Sequence, residues 1–102
     1  SNVINMEYMF ENAKSFNRNL SRWNVSNVKN MNWMFLNATE FNQDLNDWDV
    51  GNVETMIGMF SGAKKFNNGC NWNMNNVKNT SYMFHKAFRF NQNNGHLEMV
   101  VF

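Results

Sequence analysis

The sequence predicts an α/β solenoid of four units of about 25 residues, each contributing one short parallel strand and one short helix. The first observation is a register of valines spaced by 25, 25 and 24 residues: Val3, Val28, Val53 and Val77. The second is that each valine is followed, at fixed distances, by a Met-Phe pair, an alanine and a Phe-Asn pair. The third is that apolar residues have helical spacing in the first half of a unit and alternate in the second half.

The first half of the second unit has the spacing of an amphipathic helix. Its apolar residues fall at positions i, i+3, i+7 and i+10: Val28, Met31, Phe35 and Ala38. Asn27 precedes them where an N-cap residue belongs, because its side chain can accept a hydrogen bond from the backbone of the first turn. The pattern predicts a helix of about ten residues in each unit, ending before the Phe-Asn pair.

The second half of the unit has the alternation of a strand. Trp48-Asp49-Val50 places two apolar residues on one side of an extended segment, and the other units repeat this arrangement around Trp23 and Trp72. One strand and one helix per unit can only stack in parallel, with a narrow sheet on one side and helices on the other. The intervening asparagines should satisfy backbone groups in the turns and stack along the solenoid: Asn17, Asn42, Asn67 and Asn91.

The chain length and the repeat positions indicate a single repeat domain over residues 1–102, divided into units 2–26, 27–51, 52–75 and 76–102. The formal net charge of +1 gives no electrostatic reason to expect nucleic acid as a partner. The apolar runs are too short for direct membrane insertion. Cys70 is the one cysteine, in a column otherwise held by leucine, and is interpreted as a small buried hydrophobe. Because the chain begins inside a repeat, we expect it to be a fragment of a longer protein.

The segment FNQDLNDWDVGNVETMIGMF, residues 41–60, closely resembles the repeats of BspA-like leucine-rich-repeat surface proteins, and more narrowly their mycoplasma lipoprotein-associated branch. That repeat reads roughly F-N-Q-x-L-x-x-W-x-V-S-N-V-x-x-M-x-x-M-F-x-x-A, and residues 2–91 match it. The resemblance implies a leucine-rich-repeat-like solenoid, localisation at the cell surface or outside the cell, and a role in adhesion. The anchor would lie elsewhere in the full protein. The chain departs from the repeat at Asn94 and Leu97.

The sequence contains no recognisable catalytic or metal-binding motif, and we therefore expect no enzyme activity, no cofactor and no metal. His85 and His96 lie in different parts of their units, without a cluster of cysteines or carboxylates around them. The densest acidic run contains Asp44, Asp47 and Asp49, but it lacks the spacing of a calcium-binding loop. We interpret that run as a solvated face.

One variable column supplies the candidate partner-binding residues, Tyr8, Trp33 and Tyr82, with Gly58 in the third unit. On the predicted helix this column faces outward, where aromatic side chains can anchor a partner. The alternative is that these aromatics only cover the helix layer. The leading hypothesis is a non-enzymatic repeat scaffold that mediates protein–protein contacts or host attachment, with a protein or host surface molecule as partner. The alternative function is a carbohydrate-binding surface.

The two ends of the array predict self-association. The chain starts on apolar residues without a polar capping segment, and it finishes on the apolar stretch Met99 to Phe102. Terminal repeats with uncovered apolar faces tend to pair with another chain. We therefore expect end-to-end association between copies.

Overall fold

The computed structural model describes residues 4–68 and 72–90, which wind into four stacked coils. Coil 1 comprises residues 4–26, coil 2 residues 27–51, coil 3 residues 52–68 and 72–75, and coil 4 residues 76–90. Isolated parallel bridges join successive coils at one corresponding position: Asn5–Asn30, Asn30–Thr55 and Thr55–Asn79. Within the described residues the chain has no helix, and its β-structure is limited to bridges of this kind.

The predicted helix of each unit is not formed, because the backbone of this segment alternates between two kinds of hydrogen bond. In coil 2 the N–H groups of Trp33 and Phe35 donate to the carbonyls of Ile57 and Met59 in coil 3, at 2.7 and 2.8 Å. The N–H of Leu36 donates instead to the carbonyl of Trp33 at 3.2 Å. An α-helix requires each N–H to bond four residues back in its own chain. The prediction of a helix in each unit is therefore wrong.

Left-handed residues separate the turns of this segment at intervals of four. In coil 2 they are Trp33 and Asn37, both with φ of 58°, whereas helical residues have φ near −63°. Consecutive turns reproduce the spacings of three and four residues that a helix would give, so the periodicity indicated the wrong backbone. The inward-facing set of coil 2 is nevertheless confirmed, since all four members are fully buried: Val28, Met31, Phe35 and Ala38.

The strand predicted at Trp48-Asp49-Val50 is also not formed. The N–H of Trp48 donates to the carbonyl of Leu45 at 3.1 Å, which makes a local turn. The Asp49 carboxylate accepts the N–H of Gly51 at 3.0 Å, a second turn closed by a side chain. The bridges between coils lie instead in the segment for which a helix is predicted. The α/β class, with one strand and one helix per unit, is thus corrected to a stack of turns.

Two columns of phenylalanine rings fill the centre of the stack. The rings of the first column are 5.3, 5.4 and 5.5 Å apart: Phe10, Phe35, Phe60 and Phe84. Those of the second are 5.9, 6.0 and 6.0 Å apart: Phe16, Phe41, Phe66 and Phe90. Rings of the two columns also meet within each coil, at 4.4, 4.2, 4.1 and 3.8 Å. The packing of each coil therefore depends on its neighbours.

Two buried tryptophans join coils 2 and 3 to the coil that precedes each of them. The indole Nε1–H of Trp48 donates to the carbonyl of Leu20, and that of Trp72 to the carbonyl of Leu45, both at 2.8 Å. Their rings stack at 6.4 Å. A buried indole N–H without an acceptor would be costly, so these bonds also fix the register between coils.

The stacked asparagine column is confirmed in the described coils. The amide oxygen of Asn17 accepts the backbone N–H of Asn42 at 2.9 Å, and that of Asn42 accepts the backbone N–H of Asn67 at 2.8 Å. These side chains join turns that the backbone bonds do not reach. Asn91 lies outside the described residues, as do Cys70, His96, Asn94, Leu97 and the terminal stretch Met99 to Phe102.

The N-cap role predicted for the asparagine before each valine is wrong, since no helix follows. The side-chain Nδ2–H of Asn52 donates to the carbonyl of Ser26 at 2.7 Å, and that of Asn76 donates to the carbonyl of Gly51 at 2.6 Å. These asparagines therefore join the starts of coils 3 and 4 to residues 26 and 25 positions earlier in the chain.

Candidate functional site

The candidate residues Tyr8, Trp33 and Tyr82 occupy one position of the turn segment, with φ of 62°, 58° and 60°. Gly58 holds the same position in coil 3, with φ of 59°. Each is the third residue of a turn closed by a bond between the first carbonyl and the fourth N–H. A positive φ there favours glycine, and bulky residues adopt it at a cost of about 1–3 kcal/mol. Three aromatic side chains are thus held in strained turns that the bonds between coils stabilise.

Trp33 lies along the stack and covers the glycine of the next coil. A Cβ atom added to Gly58 would overlap the six-membered part of the Trp33 ring. Gly58 therefore meets two requirements, since it accepts the positive φ without strain and leaves room for the indole. Trp33 is half-buried, so in part it has the covering role that the sequence left as the alternative.

An aromatic patch forms where Trp33 reaches coil 4. The ring centroids of Trp33 and Tyr82 are 6.5 Å apart with an interplanar angle of 21°, and His85 meets Tyr82 edge-on at 5.7 Å. We call Trp33, Tyr82 and His85 the aromatic patch. Tyr82 keeps 51% of its surface exposed, so the patch is open to solvent.

Tyr8 stands apart from this patch. It is 45% exposed and makes no ring contact with any described residue. The structure therefore brings two of the three candidate residues together, Trp33 and Tyr82, and leaves the third as a separate exposed side chain on coil 1.

Mostly polar residues occupy the second left-handed position of each coil and form a row along the stack. Asn12, Asn37 and Lys86 have φ of 59°, 58° and 61°, and Gly62 has φ of 75°. The Asn37 Nδ2–H donates to Asn12 Oδ1 at 3.1 Å, and Asn37 covers Gly62 as Trp33 covers Gly58. Amide groups therefore lie four residues along the chain from the aromatic column.

A polar groove occupies another side of the stack and has alternating charges. One position in successive coils is held by Lys29, Glu54 and Lys78, which are joined by backbone hydrogen bonds of 2.8 Å. Asn52 and Asn76 line the groove beside them.

One ion pair lies elsewhere on the surface, between the side chains of Lys65 and Glu40 at 2.9 Å. Both side chains are about half exposed, so the pair contributes little to stability.

The sequence could have indicated the role of Gly58 but not the direction of Trp33. A glycine in a column of tyrosine and tryptophan signals a place where a side chain does not fit. On a helix, however, the sequence predicts that Trp33 points outward. Only the turns observed in the structure show that the Trp33 ring lies over the following coil.

A family model described as "Mycoplasma protein of unknown function, DUF285" matches residues 1–97. The chain belongs to this family. No curated protein matches the chain, and no solved structure matches it. The repeat that the sequence shows is therefore the DUF285 repeat. In this DUF285 chain, each repeat corresponds to one coil of the structure.

The other candidate groups of the DUF285 chain remain separate on its surface. Asp44 accepts the N–H of Asn46 at 2.8 Å, and Asp49 accepts that of Gly51, so two carboxylates of the acidic run close turns. In residues 4–68 and 72–90, no three His, Cys, Asp or Glu side chains are grouped to hold a metal ion. The described part of the chain also contains no helix long and apolar enough to cross a bilayer.

Proposed function

We propose that this DUF285 chain is a non-enzymatic repeat scaffold of a BspA-like bacterial surface protein, and that it mediates protein–protein contacts or host attachment. Its proposed place is the cell surface or the extracellular space. The observation that carries the proposal is the exposure of Tyr82 and Tyr8 on turns that hold their backbones fixed.

Rigid exposed aromatics suit a binding surface for two reasons. Tyrosine and tryptophan contribute large contact areas, and they dominate the binding energy at many interfaces. Side chains on an ordered backbone lose less conformational freedom when they bind. The column repeats along the stack axis, so an extended partner could contact several coils at once.

The test is binding of the full chain to cultured host epithelial cells, compared with a Tyr8→Ser/Tyr82→Ser double variant. Removal of two anchor residues should weaken binding at least about 30-fold, the equivalent of about 2 kcal/mol. The matched control is Phe88→Ser, since Phe88 is 73% exposed and lies outside the aromatic column. Unchanged binding by the double variant, or an equal loss in the control, would contradict the proposal.

A second candidate is a carbohydrate-binding surface. The specific observation is the stacked pair of Trp33 and Tyr82, with the bonded amides of Asn12 and Asn37 in coils 1 and 2. Aromatic faces and amides suit the apolar faces and hydroxyls of sugars. Treating the cells with protease or with glycosidase separates the two candidates. Loss of binding after glycosidase alone, together with saturable glycan-array binding abolished by Trp33→Ala, would favour the carbohydrate.

A further inference from the structure

The polar groove of coils 2 to 4 is built on a column of charged side chains with a fixed spacing. Lys29, Glu54 and Lys78 are exposed, and each follows a buried valine. Their backbones are bonded from coil to coil, and the residue after each takes part in the parallel bridges. Because paired strands lie about 4.8 Å apart, the backbones of the two lysines are about 10 Å apart, with Glu54 midway between them.

The charged groups of this column are not used inside the described part of the chain. In residues 4–68 and 72–90, no ion pair or hydrogen bond involves the side chains of Lys29, Glu54 or Lys78. Asn52 and Asn76 line the groove and donate their Nδ2–H groups to backbone carbonyls, which holds both amides in place. The groove therefore offers a ligand two ammonium groups, one carboxylate and two oriented amides.

The shape and charge of the groove suit a segment of an extended polymer. Its volume is about 280 Å³, near the lower limit of about 300 Å³ for small-molecule pockets, and its lining comes from three successive coils. A ligand that lies along it must place an anionic group at each lysine. Between these groups it must present an uncharged hydrogen-bond donor, because an anion beside Glu54 would be repelled.

Few linear anions have this order of charges. A nucleic acid carries a charge on every phosphate, so one phosphate would face Glu54. In an extended peptide, side chains on one face recur about every 6.6 Å, and residues about 10 Å apart lie on opposite faces. A chain of pyranose sugars fits better, because one ring of an extended polysaccharide is about as long as one coil is thick.

We propose that the groove binds an acidic polysaccharide in which carboxylated sugars alternate with uncharged sugars. The carboxylates of two such sugars bind Lys29 and Lys78, and hydroxyl groups of the sugar between them donate to Glu54. The amide oxygens of Asn52 and Asn76 accept further hydroxyl groups. None of these five residues belongs to the aromatic column, so this site does not depend on the proposed function.

Two probes that differ at the sugar facing Glu54 test the order of charges. Unsulfated chondroitin alternates a carboxylated sugar with an uncharged amino sugar, and chondroitin sulfate adds a sulfate to the amino sugar. Isothermal titration of the full chain should show saturable binding of unsulfated octasaccharide, at least about fivefold tighter than that of the sulfated form. Glu54→Gln should abolish this preference, because it removes the repelling charge and keeps an acceptor oxygen.

Lysine variants locate the site. Lys29→Met and Lys78→Met should each weaken binding of unsulfated chondroitin about fivefold or more. The matched control is Lys64→Met, which removes the same charge from an exposed side chain outside the groove and should change binding by less than about twofold. The Tyr8→Ser/Tyr82→Ser variant should also bind normally, which separates the groove from the aromatic column.

Four results would overturn the proposal. The first two are absence of saturable chondroitin binding at millimolar concentration and equal affinities of the unsubstituted chain for the two forms. The third is an equal loss in Lys64→Met, which would show attraction to the overall charge of the chain. The fourth is a peptide of alternating glutamate and serine that binds as tightly as chondroitin, which would assign the groove to a protein ligand.

Discussion

Phe35→Ala and Phe60→Ala are each expected to lower the free energy of unfolding by about 3 to 5 kcal/mol. Both rings are fully buried and lie between a ring of the preceding coil and a ring of the following coil. Truncation removes the transfer free energy of the ring and leaves a cavity that neighbouring coils cannot close without breaking their own bonds. Urea unfolding followed by tryptophan fluorescence measures the loss.

Phe10→Ala provides the internal comparison. Phe10 belongs to the same column, but it is only partly buried and has a stacked column neighbour on one side, Phe35. Its loss should be clearly smaller, because part of its surface is already exposed to water. Equal losses at positions 10, 35 and 60 would show that neighbouring coils do not determine the stability of each coil.

Gly58→Ala is expected to destabilise the chain by about 2 to 4 kcal/mol, a large effect for one methyl group. Two causes add. Alanine at φ of 59° is strained, and its Cβ would overlap the ring of Trp33, which must move. Thermal and urea unfolding both measure the change.

The contribution of Trp33 is separated by repeating Gly58→Ala in a Trp33→Ser background. The overlap then disappears and only the backbone strain of about 1–2 kcal/mol should remain. Gly51→Ala is the matched control at an ordinary φ, where the nearest atom is Asp49 Oδ1 at 3.1 Å, and it should change stability by less than about 1 kcal/mol. The same loss in both backgrounds would show that Trp33 does not occupy the space above Gly58.

The repeat and its inward-facing residues could be predicted from the sequence, because stacked copies need apolar residues at the same positions. Val28, Met31, Phe35 and Ala38 are buried as expected, and the Asn17 column joins adjacent turns. These predictions depend on which residues recur. They do not depend on the backbone conformation that connects them.

The backbone itself could not be predicted in the same way. A helix and a run of turns closed by hydrogen bonds between residues i and i+3 both give apolar spacings of three and four residues. The positions of Met31 and Phe35 therefore fit either structure. The decisive feature is the positive φ at Trp33 and Asn37, and only coil 3 signals it in sequence, through Gly58 and Gly62. Elsewhere tyrosine, tryptophan, asparagine and lysine hold those positions. Bonds between coils override the local preference of these residues.

The residues of the candidate site could be chosen from the sequence, but their arrangement could not be predicted. The column of Tyr8, Trp33 and Tyr82 was evident from its variation, but its geometry depends on how far Trp33 extends along the stack.

The central claim is that N–H groups such as those of Trp33 and Phe35 donate to carbonyls of the following coil. In a helix, by contrast, these hydrogen bonds would stay within one segment of the chain. Scalar couplings across hydrogen bonds, measured by NMR on isotopically labelled full chain, test it directly. The expected couplings join the N–H of Phe35 to the carbonyl of Met59 and the N–H of Trp33 to the carbonyl of Ile57. Couplings from each N–H to the carbonyl four residues earlier across residues 28–38 would show a helix and contradict the account.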